Sequence, residues 1–303
     1  MIALVASILR KGEDDPTQHY ALKTIENISS QGGEWAARFT NHGVLENLCY
    51  IFKASGKQES LRLSAGSCLV RLLRFGASNV PFVLEKLSLK ELSMGLTKPN
   101  LKEQQVNINL LNIFLMGSSS MSISKQLSSL LEEKSLVSNL LTMLEQSTEV
   151  LRGKSLVCAA LLCKVNRRWL TSLCSGKLLA VSERFVKEKE CYVKQCIDAL
   201  IQTIVDIVPN ILDSIGSDVQ QPAGSGKRLT PQSGRNQVRN SLSLFPIILH
   251  LFESPVFREK IVNGRILKLL AGFLSILQTA SFPVRILYER NINHELNLTH
   301  CFS

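Results

Sequence analysis

A helix that returns every 41 to 47 residues constrains this chain more than any other feature of its sequence. Five segments start near Thr17, Glu59, Lys102, Glu149 and Glu190. They read TQHYALKTIENI, ESLRLSAGSCLVRLL, KEQQVNINLLNIF, EVLRGKSLVCAALL and ECYVKQCIDALIQTIV. Each opens polar and then places small or apolar residues at steps of four and three: Ala21–Ile25–Ile28, Ala65–Leu69–Leu72, Val106–Leu110–Ile113, Ser155–Ala159–Leu162 and Ile197–Ile201–Ile204. Such steps share one face of a helix. A period of this length is the mark of stacked HEAT or armadillo helices, so the expected fold class is all-α, an armadillo/HEAT-like helical solenoid of antiparallel helix pairs. Ala21, Ile25, Ala65, Leu69, Leu110, Ala159 and Ile201 are expected in its core. Arrays of this kind present long surfaces and few pockets, which points to scaffolding over catalysis.

Gly32-Gly33 breaks the chain before an expected short helix from Glu34 to about Asn41, Gly43 separates it from Val44–Lys53, and turns at Gly56, Gly76, Pro99 and Gly117 carry this helix–break–helix grain onward to Gly216. Residues 1–215 are therefore assigned about five repeats. Ser-rich residues 118–130 keep Met121, Ile123, Leu127 and Leu130 in helical reach. Residues 216–240 hold Gly, Pro, Ser, Gln and basic residues but almost no core formers. They cannot bury enough surface to offset ordering entropy, so a long disordered basic loop is expected there. Residues 241–283 form a further helical repeat: one helix over Leu242–Glu253, then another running to Gln278 on a stripe of Ile261, Ile266, Leu269, Leu270, Phe273 and Leu277. Residues 284–303 show no stripe and no cap, and read as an atypical, truncated or mis-spliced tail. Met1–Arg10 begins apolar and uncapped, like the middle of an array, so the chain is expected to be a piece of a longer protein.

The net charge is +10, with nine basic residues against three glutamates between 148 and 189. Arg152, Lys154, Lys164, Arg167, Arg168, Lys177, Arg184, Lys187 and Lys189 form the candidate binding face. A basic stripe attracts polyanions: nucleic acid, anionic membrane or the acidic surface of a polymer such as a microtubule. A plain basic repeat protein explains the same charge, and nucleic acid is disfavoured as the partner. Thr230-Pro231 follows Lys227-Arg228 in the expected loop and is the candidate phosphosite, weighed against an unmodified linker.

Catalytic and cofactor chemistry finds little support. The string GSGKR ending at Arg228 lacks both the upstream Gly and the following Ser or Thr of a phosphate loop. Cys158/Cys163 and Cys191/Cys196 are spaced by five inside helical segments, so their side chains diverge. Zinc pairs lie two to four apart, and the cysteines read as small core residues instead. His19, His42, His250, His294 and His300 lie beside no Gly-flanked nucleophile, and no kinase motif is present. No cofactor, metal or small-molecule substrate is expected. No run reaches the ~20 apolar residues of a membrane span. Residues 197–215 come nearest and are interrupted by Asp198, Asp206, Pro209 and Asp213. Scattered cysteines without a secretory leader place the chain in a reducing compartment, cytosolic or nuclear.

The stretches GEDDPTQHYALKTIENISSQGGEWAARF (Gly12–Phe39), Val44–Lys53 and QESLRLSAGSCLVRLLRF (Gln58–Phe75) carry a resemblance. They resemble the C-terminal helical-repeat region of the Fused-like and Unc-51-like kinases, nearest to a plant kinase-like member, and the likeness extends over most of residues 1–283. The resemblance implies an armadillo-type region from a protein that binds microtubules and acts in plant cytokinesis at the phragmoplast. It implies no kinase activity here, since the kinase domain would lie upstream of Met1, and it transfers no site residue. Three roles stay open: a microtubule-associated scaffold in the cytoplasm, a peptide or cargo adaptor, and a regulatory repeat region of a kinase. An adaptor groove would need Asn and Trp on successive repeats, and Trp35 and Trp169 are too far apart for such a ladder.

Overall fold

The computed structural model describes residues 2–10, 14–117, 125–126, 128, 135–146, 148–175, 178–187, 189–220 and 245–279. All regular structure among these residues is helical. The chain divides into two compact units: Met1–Val165 with Glu190–Cys196, and Asn166–Lys189 with Ile197–Ser303.

In the first unit the helices are α1 (Ile2–Ile8), α2 (Asp15–Ser29), α3 (Gly33–Phe39), α4 (His42–Lys53), α5 (Glu59–Phe75), α6 (Val80–Lys86), α7 (Leu89–Gly95), α8 (Leu101–Met116), α9 (Ser135–Gln146) and α10 (Glu149–Val165). The long helices α2, α5, α8 and α10 start where the sequence period places them. Each packs side by side on the next, and α4, α7 and α9 back α5, α8 and α10. All seven core residues named from the period are buried in the structure, with Ile25, Ala65, Leu69, Leu110 and Ile201 at zero exposure. Of the five stepped triplets, only Ile28 reaches the half-buried range.

The first two repeats hold three helices: the short helix expected after Gly32-Gly33 is α3, and α6 adds another that was not expected. A short helix, α3 or α6, precedes α4 and α7. Gly32 adopts φ 138°, a conformation open mainly to glycine, and lets the chain reverse between α2 and α3. Asn41 then caps α4 through Oδ1, which accepts from Val44 N at 2.9 Å. Asn100 does the same for α8, accepting from Lys102 N at 2.9 Å and Glu103 N at 3.3 Å. These caps satisfy amide donors that a helix start leaves without an internal partner. Close stacking uses the small residues of the long helices. A Cβ built on Gly66 would lie 2.6 Å from Val106 Cγ1 and 2.9 Å from Phe52, so α5 approaches both neighbours through a position without a side chain.

The second unit contains α11 (Arg168–Ser175), α12 (Leu178–Val186), α13 (Cys191–Gln220, its first residues through Cys196 counted with the first unit), α14 (Phe245–Glu253), α15 (Pro255–Ile261) and α16 (Gly264–Thr279). Helix α13 runs through Pro209 and on to Gln220, past the expected loop boundary at 216. Val208, Ile211 and Leu212 are buried on either side of the proline and hold the helix across it. The rest of the expected loop, residues 221–240, lies outside the described residues, as does most of the Ser-rich segment and the tail. The single helix expected from Val256 to Gln278 is broken at Asn263, whose Oδ1 accepts from Arg265 N and Ile266 N at 3.1 Å and starts α16. Ile261 and Ile266 are buried as expected, while Leu269 and Leu270 are half-buried.

By length and composition, Cys191–Asp213 is apolar enough to cross a membrane, with a mean hydropathy of 1.3. Its packing is that of a core helix. Val193, Ile197, Leu200, Ile201, Ile204, Val208 and Ile211 are fully buried, while Asp198, Asp206 and Asp213 share the exposed side. Two of these aspartates face cations of α15 and α16, Asp198 with Lys260 at 3.7 Å and Asp213 with Arg265 at 3.8 Å.

Candidate functional site

The nine basic residues singled out from the sequence divide between the two units. In the first, Arg152 and Lys154 leave the opening turns of α10 half-buried, and Lys164 stands exposed at its end. Arg152 is ion-paired with Glu190. In the second unit, Arg168, Arg184, Lys187 and Lys189 are exposed, and Arg167 is half-buried at the turn before α11. Asn166 Oδ1 accepts from Arg168 N at 3.0 Å and orders that turn. The Arg184 guanidinium lies 5.1 Å from the centre of the Phe185 ring, a contact that steadies it at the surface. Glu183, beside Arg184, accepts from Ser254 Oγ at 2.5 Å. Lys177 and Thr230 lie outside the described residues.

A second group of polar residues occupies the long helices of the first unit. Asn27, Arg71 and Asn112 stand at one repeat position, each six residues after Ala21, Ala65 and Val106. This register was legible in the sequence and is not marked by any tryptophan. Arg71 Nη1 donates to Glu26 O at 3.0 Å, and Asn112 Nδ2 donates to Lys154 O at 3.1 Å. Both bonds tie one long helix to its neighbour. Glu26 also accepts from Lys23 at 2.7 Å, and that bond, with Arg71 and Lys102 nearby, holds its carboxyl below the usual carboxylate range.

Lys154 is different. Burial, and after it the charge of Arg74, lower its ammonium pKa from the ordinary lysine value. Tyr192 covers the adjacent helix backbone: a Cβ on Gly153 would lie 2.3 Å from Tyr192 Cε1. Burial raises the Tyr192 phenol, and Arg74 acts on it in the opposite sense.

Most of the described cysteines behave as core residues. Cys49, Cys68, Cys158, Cys163 and Cys196 are buried and Cys191 is exposed. Burial pushes the thiols of Cys49, Cys68, Cys158 and Cys174 up to about 12. Since only the thiolate reacts, a maleimide at neutral pH is expected to label Cys191 first and these four only after denaturation. Peptide mapping by mass spectrometry reads the order, and early labelling of Cys68 or Cys158 in the native chain would contradict the packing.

Comparison with known proteins agrees with this geometry. The family described as "Serine/threonine-protein kinase ULK4-like, HEAT repeats" matches residues 207–299. The chain is 48% identical over 290 residues to Serine/threonine-protein kinase RUNKEL of Arabidopsis thaliana, covering 94% of this chain and 21% of that protein. It is 29% identical over 268 residues to Serine/threonine-protein kinase ULK4 of Mus musculus, covering 86% of this chain and 20% of that protein. The chain thus spans about a fifth of the length of these curated relatives. Among solved structures, a computationally designed armadillo repeat protein for modular peptide recognition matches with a TM-score of 0.56 at 12% identity, over 91% of this chain and 99% of that one. A designed armadillo repeat protein in complex with the peptide (KR)4 matches with a TM-score of 0.54 at 13% identity, over 91% and 98%. At such identities these designs speak for the fold alone. The long-helix stack and the sequence relatives together make the chain a helical-repeat region, not a kinase domain, related to the ULK4-like kinases.

Proposed function

We propose that this chain is a non-catalytic scaffold that docks on the acidic surface of microtubules, in the cytoplasm and at the phragmoplast of dividing plant cells, as a piece of a larger kinase-like protein. One observation carries the reading: Arg168, Arg184 and Lys187 stand exposed in the second unit. The net charge of +10 and the plant relative support it. Docking of this kind rests on exposed charges, which salt screens over about 10 Å at 0.1 M ionic strength. Co-sedimentation with microtubules is therefore expected to fall steeply as salt rises. Changing Arg168, Arg184 and Lys187 together to Glu is expected to abolish it with helicity unchanged by circular dichroism. Equal co-sedimentation of the native and reversed chains would remove the microtubule reading.

A second reading, the peptide adaptor, is favoured by the polar positions repeated along α2, α5 and α8. The designed relative takes a peptide of alternating Lys and Arg. The long-helix layer here carries Lys23, Arg71, Arg74, Lys102 and Lys154, so a basic peptide is the wrong ligand for it.

A further inference from the structure

On α5, α8 and α10 the positions one and five residues after Ala65, Val106 and Ser155 are all buried: Gly66 and Val70, Asn107 and Leu111, Leu156 and Ala160. On α13 the same positions after Ile197 hold Asp198 and Gln202, and both are exposed. A groove of about 620 Å³ opens along this polar side of α13, within the second unit. Gln202, Val205, Asp206 and Pro209 of α13 line it, together with Lys260 of α15, Asn263 of the following turn and Arg265 of α16. Both lining cations already have an acid, Lys260 in Asp198 at 3.7 Å and Arg265 in Asp213 at 3.8 Å. Those two aspartates lie about 12 Å and about 10 Å along the helix to either side of Asp206. Asp206 itself pairs with no cation among the described residues. Its Oδ1 accepts from Gln202 Nε2 at 2.8 Å, a bond that orients the carboxylate and leaves Oδ2 unused. A second acceptor lies one residue away. Pro209 has no N–H, so the Val205 carbonyl oxygen lacks the donor that the residue four places on supplies in a helix.

We infer that this groove takes an arginine side chain of a partner protein, its guanidinium shared between the Asp206 carboxylate and the Val205 carbonyl oxygen. The chemistry of the lining selects that group. Two acceptors on adjacent residues, one of them charged, call for a cation with several donors. A guanidinium presents five N–H donors in a planar fork, so one edge meets the carboxylate while others remain for the carbonyl. An ammonium is a compact, strongly hydrated point charge and matches a spread of acceptors less well. A carboxylate ligand meets Asp206 with the same sign of charge, and the cations that could offset this are engaged by Asp198 and Asp213. The site uses none of the basic residues of α11 and α12, so it stands apart from the microtubule reading.

NMR titration of the full, ¹⁵N-labelled chain with an acetylated Gly-Arg-Gly amide tests the site. Saturable shifts of the Gln202 side-chain amide are expected. Asp206→Asn, an isosteric change at an exposed position, is expected to weaken binding by about tenfold. Pro209→Ala restores the N–H that the Val205 carbonyl lacks, and is expected to weaken binding about threefold while the melting temperature rises. A proline that is merely tolerated in the helix predicts no change in affinity. Asp206→Asn is expected to leave microtubule co-sedimentation intact, so the two readings fail separately. Absence of saturable shifts would overturn the inference, as would undiminished affinity in either variant. Equal binding of Gly-Lys-Gly would remove the guanidinium, and tighter binding of Gly-Glu-Gly would show that Lys260 and Arg265 govern the groove instead.

Discussion

Ala65→Trp is expected to destabilise the first unit by about 1–3 kcal/mol or more. Ala65 has no exposed surface and sits on α5, which packs against α2 on one side and α8 on the other. Its neighbour Gly66 already brings Val106 and Phe52 within 3 Å of where a Cβ would stand, so no slack remains for an indole. Because each repeat of such a stack is supported by the next, misfit at α5 also weakens α2 and α8. Thermal unfolding followed by circular dichroism measures the loss. A variant that melts with the native chain would mean that the long helices do not touch at this position.

Trp169→Ala carries the largest expected cost, about 3–5 kcal/mol for emptying an aromatic site in a core. Trp169 is 1% exposed, on the short helix α11 of the second unit. Its indole N–H finds no hydrogen-bond partner among the described residues. A buried donor left unsatisfied costs about 1–3 kcal/mol, so Trp169→Phe removes that penalty while giving up some packing. The Phe variant is therefore expected to stay within about 1 kcal/mol of the native chain while the Ala variant does not. Chemical denaturation of the three chains separates the cases. Equal losses for Phe and Ala would show that the N–H makes a bond worth keeping.

Fold class, repeat register and the core of the long helices were all legible in the sequence. The reason is local. A helix that must bury one face against two like neighbours needs small or apolar residues at steps of four and three, and Ala65–Leu69–Leu72 displays that requirement without any tertiary information. The end caps were local too, since Asn41, Asn100 and Asn263 each act on amides two or three residues away. Of the short third helices, α3 was marked by the Gly32-Gly33 break before it, while α6 was not separated out, because seven residues show no periodic stripe and no glycine pair precedes it. The fate of individual charges was not local at all. The run from 148 to 189 counts as one basic stretch, yet Arg152 is consumed by Glu190, thirty-eight positions away, while Arg168 and Arg184 are exposed at the surface. Only folding decides such pairings, because charge interactions depend on distance through space and burial, and neither quantity is written in the order of residues.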